Sequence, residues 1–154
     1  MSSCFFIGHR EAEENLLQYI LAASERLSVE NDVTEFYVGG YGNFDRLAGR
    51  AVVMLKARYP STQLFRVIPY HPAEYLTEIP EGYDGTFYPF GMENVPRRFA
   101  IPRANRSMIE TCDYLIAYVT HTASNAHRFL EYARRREKKG LLHIVNLADA
   151  MANH

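Results

Sequence analysis

Cysteine is scarce in this chain. Cys4 and Cys112 are the two present, and neither belongs to a Cys-x-x-Cys pair, which argues against a zinc centre; no metal site is expected. Two buried free thiols in a reducing compartment are the simplest reading. A basic excess is also missing. Seventeen Lys and Arg face eighteen Asp and Glu, for a formal net charge of −1. Broad nucleic-acid surfaces draw most of their affinity from phosphate neutralisation, so DNA or RNA is not an expected partner. One small anionic ligand remains compatible. No apolar stretch approaches the ~20 residues of a membrane span, and the N-terminus lacks the basic segment and cleavage site of a signal peptide. A cytoplasmic protein with no membrane partner is expected. Internal repeats and low-complexity segments are missing too.

What is present suits a globular domain. The 154 residues are 47% hydrophobic and 23% charged, enough for a core without staples. Residues 1–154 are read as a single domain; self-association into a homo-oligomer stays open. Cys4 to Ile7 reads as a buried strand ending at Gly8. A helix follows, with Leu16, Leu17, Ile20, Leu21 and Leu27 on one face. Thr34 to Val38 is a second strand that stops at a glycine pair. The next helix, capped by Asn43 or Asp45, carries Leu47, Ala51, Met54, Leu55 and Arg58 at helical spacing, and Pro60 ends it.

Gln63 to Ile68 is a third strand, Phe99 to Thr111 a helix, and Tyr114 to Val119 a fourth strand. Ser124 to Lys139 is a helix closed by Gly140, and Leu142 to Leu147 a fifth strand. A frayed tail is expected after Asp149. Alternating short apolar strands and helices mean parallel pairing with right-handed crossovers. The expected fold class is α/β, a Rossmann-like three-layer sandwich with a five-stranded, mainly parallel sheet of order 3-2-1-4-5. Residues 69–98 break the rhythm with five prolines and six aromatics, and read as a packed flap.

Ligands of such sheets bind at the carboxyl ends of the strands, so the residues just after each strand are the candidates. These are Gly8, His9 and Arg10; Gly39, Gly40, Tyr41, Gly42, Asn43 and Asp45; Asn105 on the third helix; and Thr120, Ser124 and Asn125. Gly39, Gly40 and Gly42 let backbone approach an oxyanion at a helix N-terminus, although a plain tight turn explains them equally well. Arg10 can neutralise phosphate. His9 is either a packed loop histidine or a donor to ribose or phosphate. Asp45 is a ribose-hydroxyl acceptor or a carboxylate favoured by the helix dipole. Ser124 and Asn125 are caps first and ligand donors second. Glu131 is a solvated helical glutamate or faces the site. Arg134, Arg135, Arg136, Lys138 and Lys139 fit a solvated helix C-terminus.

The runs Cys4-Phe5-Phe6-Ile7-Gly8-His9-Arg10, Gly39-Gly40-Tyr41-Gly42-Asn43-Phe44-Asp45 and Leu55-Lys56-Ala57-Arg58-Tyr59-Pro60 resemble the DUF1273/YpsA-like branch of the SLOG superfamily. So do Val67-Ile68-Pro69-Tyr70, Asn105-Arg106-Ser107-Met108 and Asp113-Tyr114-Leu115-Ile116-Ala117-Tyr118-Val119. The resemblance implies a Rossmann-like fold that binds a nucleotide or nucleotide-derived small molecule, for sensing or sequestration; no cofactor is otherwise identified. Relatives of the LOG type cleave the N-glycosidic bond of nucleoside monophosphates, and DprA-like members bind single-stranded DNA. The LOG-type Gly-Gly-x-Gly-Thr-x-x-Glu motif has no matching form after the fourth strand, where Thr122-Ala123-Ser124-Asn125 stands. A phosphoribohydrolase or ribosyl-transfer enzyme is therefore the alternative. It would need a carboxylate beside the cationic sugar transition state. Asp45 is the first candidate, then Glu131, Asp84 and Glu93. A partner-binding protein with a vestigial pocket is a third reading.

Overall fold

The computed structural model describes residues 2–151. The strands are β1 (Ser2–Gly8), β2 (Val33–Val38), β3 (Gln63–Val67), β4 (Gly85–Phe87), β5 (Tyr114–Tyr118) and β6 (His143–Asn146). The helices are α1 (Leu16–Asn31), α2 (Asn43–Arg58), α3 (Ala100–Thr111), α4 (Asn125–Lys138) and α5 (Leu147–Met151). All strand pairs are parallel, and the sheet runs β4-β3-β2-β1-β5-β6. The chain is thus α/β, a parallel sheet flanked by helices in a Rossmann-like arrangement.

The sheet has six strands where five were expected, and its order differs from 3-2-1-4-5. The added strand is β4, which comes from inside the flap and takes the edge beyond β3. Its anchor is Asp84, whose carboxylate accepts the Leu64 N–H at 2.8 Å and meets Lys56 Nζ at 2.7 Å. Phe87 then packs edge-on against Tyr37, with ring centroids 5.2 Å apart. Three residues are too few to show a period-2 pattern among prolines and aromatics. The flap also contains 3₁₀ turns at Met92–Asn94 and Arg97–Phe99, the second leading directly into α3.

β1 shows why the sheet is covered on both faces. Cys4 and Phe6 join a core with Leu16 and Ile20 of α1 and Leu47, Ala51 and Leu55 of α2. Phe5 and Ile7 join a second core with Met108 and Ile109 of α3 and Leu130 and Ala133 of α4. Successive side chains of a strand point to opposite faces, so an apolar run with no polar interruption requires two apolar layers. Burying Phe5, Phe6 or Ile7 contributes about 1.5–3 kcal/mol each.

Three expected details differ. Met54 is 44% exposed, and Arg58 points outward to Glu25 at 3.0 Å. The buried stripe of α2 runs instead through Phe44, Leu47, Ala48, Ala51, Val52 and Leu55. The last strand stops at Asn146, and buried Leu147 starts α5, so Ala150 and Met151 are helical rather than frayed. Residues 152–154 of the expected tail lie outside the described residues. Among the described residues, no helix is long and apolar enough to cross a membrane.

Two ends of α4 follow local rules. Ser124 Oγ accepts the His127 N–H at 3.1 Å, an N-cap. Gly140, at φ 74°, donates to Glu137 O at 2.9 Å while Leu141 donates to Arg136 O at 3.1 Å, which closes the C-terminus as a Schellman motif.

Gly8 ends β1 against the ring of Phe44, which is 1% exposed, and a Cβ at Gly8 would overlap that ring. Gly8→Ala is therefore expected to destabilise the fold by about 1–3 kcal/mol through overpacking. Urea unfolding measures this; an unchanged midpoint would show that Phe44 has room to move.

Candidate functional site

β1 and β5 are neighbours in the middle of the sheet. The chain leaving β1 goes to α1 on one face, and the chain leaving β5 goes to α4 on the other. The two loops diverge, and a crevice opens at the carboxyl ends of the strands, as it does at any topological switch point. A cavity of about 760 Å³ fills that crevice. Gly8, His9, Arg10, Tyr41, Asp45, Asn105, Ser124 and Asn125 all line it. Loops far apart in sequence thus bring these eight candidates together.

His9 is buried behind the cavity wall at 5% exposure. Its Nε2 accepts the Thr120 N–H at 2.9 Å, with Thr120 Oγ1 at 3.3 Å. An accepting Nε2 assigns the ring proton to Nδ1. Burial and the neighbouring His121 push the His9 pKa down, so the ring is neutral near pH 7. It stacks on His121 with centroids 4.1 Å apart and planes 4° apart. His9 and Thr120 therefore tie the β1 loop to the β5 loop. Donor atoms of His9, Glu11 and His121 lie within 4.8 Å of one another. Nearly parallel stacked rings keep their in-plane lone pairs from converging, and His9 Nε2 is already engaged, so the trio is poorly arranged for an ion.

The glycine loop is a tight turn closed by a carboxylate of its own. Asp45 Oδ2 turns back and accepts the Tyr41 N–H at 3.0 Å. A Cβ at Gly39 would lie 2.9 Å from the same oxygen. The oxyanion against this turn is supplied by the chain itself. Burial pushes the Asp45 pKa up to about 7; the Tyr41 N–H and the charges of Arg66 and Arg10 only partly oppose it. Gly42, at φ 109°, needs its missing Cβ because the Arg10 Cα would lie 2.7 Å away. Asn43 is structural: its backbone N–H donates to Arg10 O at 2.8 Å, and its side chain donates to Ala12 O and accepts from Arg46 Nε at 2.8 Å. Gly39, Gly40 and Gly42 face away, into a second cavity between α2 and the flap.

Arginine dominates the first cavity. Arg10, Arg98, Arg106, Arg128 and Arg135 line it, against the carboxylates of Glu11 and Asp45. Among the described residues, none of these five makes an ion pair. Arg106 and Arg135 rest on the ring of Tyr132 at 4.7 and 5.5 Å, contacts that hold guanidinium groups without neutralising them. The first turn of α4 also lines the cavity through Asn125 and Ala126, whose N–H groups have no intrahelical partner. Dipole and side chains therefore add with the same sign.

The remaining carboxylate candidates are elsewhere. Glu131 pairs with Arg134 at 2.7 Å and is not part of the lining. Asp84 anchors β4, and Glu93 is an exposed residue of a 3₁₀ turn. Sequence reasoning missed Arg98, Arg106, Arg128, Tyr132 and His121, and took Arg135 for a solvated helix end. A usable signal was present. Arg128, Tyr132 and Arg135 follow i, i+4, i+7 spacing, which places them on one face of α4.

Asp45 has a consequence for pH. Folding raises its pKa from 3.8 to about 7, so over that window the folded chain holds a proton that the unfolded chain has released. Its contribution to stability falls as pH rises through the window and is level above it, by at most about 4 kcal/mol. Asp45→Asn keeps an acceptor for Tyr41 and removes the titration. Urea midpoints measured from pH 4 to pH 8 are expected to fall less steeply for the variant; parallel curves would show that the carboxyl titrates normally.

No known family model matches the chain, and no curated protein matches it; the chemistry of the cavity's own side chains carries the functional reading.

Proposed function

We propose that this protein binds a nucleotide or nucleotide-derived small molecule in the cavity at the carboxyl ends of β1 and β5, as a sensing or sequestering module of the SLOG type. One observation carries the reading: five arginines that make no ion pair among the described residues and the N-terminal turn of α4 surround a single cavity of about 760 Å³. That volume is within the range of about 300–1,000 Å³ typical of small-molecule sites. A chain of net charge −1 that concentrates cations in one crevice is built to attract an anion there. Phosphate oxygens suit Arg10, Arg128 and the α4 N–H groups, and a base suits the aromatic surfaces of Tyr41, Phe129 and Tyr132. The likeness of Gly8-His9-Arg10 and Gly39-Gly40-Tyr41-Gly42-Asn43 to SLOG motifs supports the same class of ligand. In this reading the glycine loop positions Tyr41 and Asp45, and the phosphate goes to α4. A cytoplasmic setting is consistent with two buried free cysteines.

One observation favours turnover as a second reading. Asp45 lines the cavity with a pKa near 7, so at neutral pH it is available in both protonation states. Hydrolysis of an N-glycosidic bond needs a proton for the departing base and a negative charge beside the developing sugar cation. A single carboxyl that titrates near 7 can serve one of these at a time.

Thermal shift against AMP, ADP-ribose and dinucleotides tests binding, since a ligand of the native state raises its stability. At least one is expected to raise the melting temperature. Arg106→Met or Arg128→Met is expected to weaken it about tenfold or more, the scale of one lost charge-assisted hydrogen bond. No shift with any of them would sink the binding reading. Chromatographic detection of free base from nucleoside monophosphates tests turnover: release should vanish in Asp45→Asn, and no release by the unmodified protein with binding intact leaves a pure binding module.

A further inference from the structure

The second cavity, of about 610 Å³, shares no lining residue with the first. It lies between the outer face of α2, Arg66 of β3 and the flap residues Pro80, Glu81 and Tyr83. One part of its wall is cationic, with Arg46, Arg50 and Arg66. Another is apolar, with Val53, Met54, Pro80 and the ring of Tyr83.

The cations are not equivalent. Arg46 and Arg50 both pair with Glu14. Arg66 instead lies over the Tyr83 ring at 5.2 Å, and its Nε is closed off from solvent with no hydrogen-bond partner among the described residues. Among the described residues Arg66 makes no ion pair and no side-chain hydrogen bond, so the charge it brings to the cavity wall is left for an acceptor that the chain does not supply. Two glycines make the space. A Cβ at Gly40 would lie 2.9 Å from Arg66 Nη1, and a Cβ at Gly49 would overlap the Tyr83 hydroxyl. Three guanidinium groups face the carboxylates of Glu14 and Glu81, which leaves about one positive charge in excess while the nearby Asp45 holds its proton.

We propose that this cavity is a second binding site, for an organic monoanion with a flat apolar body, of the aromatic carboxylate or sulfonate class. The acid group meets Arg66, and the body lies against Tyr83, Val53 and Met54. The excess of one charge matches a monoanion, and the mixed wall discriminates against a small hydrated ion, which would leave the apolar part uncovered.

The aromatic sulfonate 8-anilinonaphthalene-1-sulfonate serves as the probe, titrated into the folded full chain and followed by its fluorescence. Saturable binding of one probe per chain is expected. Arg66→Met should weaken it about tenfold or more. Met54→Glu, at an exposed position that tolerates charge, should weaken it as well and decides the matter if Arg66→Met does not fold. Arg106→Met, which alters only the first cavity, should leave it unchanged. Equal affinity in folded Arg66→Met and Met54→Glu, loss in Arg106→Met, or no saturable binding at all would overturn the proposal. Loss in Arg106→Met would place the probe in the first cavity; the other outcomes leave nucleotide binding there untouched.

Discussion

Side chains of β1 alternate between two hydrophobic layers, Cys4 and Phe6 into one and Phe5 and Ile7 into the other, and each helix is placed by which layer it covers. With α1 and α2 on one face and α3 and α4 on the other, the connections from β1 and β5 must leave the sheet in opposite directions. The crevice between them is a consequence of that packing and needs no residue of its own to open it. What the sequence adds is chemistry at its rim: a neutral histidine, a carboxylate titrating near 7 and a ring of arginines.

The floor of the crevice is tied together by contacts within the chain. Thr120 donates to His9, Asn43 donates to Arg10 O and Ala12 O, and Gly42 packs directly on the Arg10 backbone. These contacts join the β1, β2 and β5 loops into one unit. A ligand that meets such a surface has little loop ordering to offset, so more of its contact energy appears as affinity. The arginines are the adjustable part. Their long side chains lose rotamer freedom when they grip an anion, and Tyr132 limits that loss for Arg106 and Arg135 by holding both beforehand.

The strands buried on both faces were legible because such strands have no polar face to interrupt the apolar run. β4 was hidden, since its pairing rests on Asp84 reaching Leu64 and Lys56, a tertiary contact that three residues do not announce. Met54 misled because it sits at helical spacing from Leu47 and Ala51 yet faces the second cavity. For the site, strand ends told which loops to inspect, and eight of the candidates share one cavity. The glycine loop was legible as a turn that welcomes an oxyanion; that the oxyanion is Asp45 depends on a side-chain rotamer. Arginines on helices are solvated by default, so Arg98, Arg106, Arg128 and Arg135 gain meaning only once α3 and α4 stand on the same side of the crevice.

Asp45 is where the two cavities meet energetically. It lines the first, yet Arg66 of the second acts on it more strongly than Arg10 of the first does. Even both cations together leave its pKa near 7, because desolvation of the carboxylate outweighs attraction that is partly screened by solvent. An anion drawn to Arg66 would weaken one of the few forces that keep Asp45 ionised, and an anion at Arg10 would do the same from the other side. An anion held in either cavity would thus favour the protonated carboxyl. By linkage, the proton held on Asp45 favours an anion in either place. The glycine turn lines the second cavity while the carboxyl that closes it lines the first, so a single titrating group faces the charges of both.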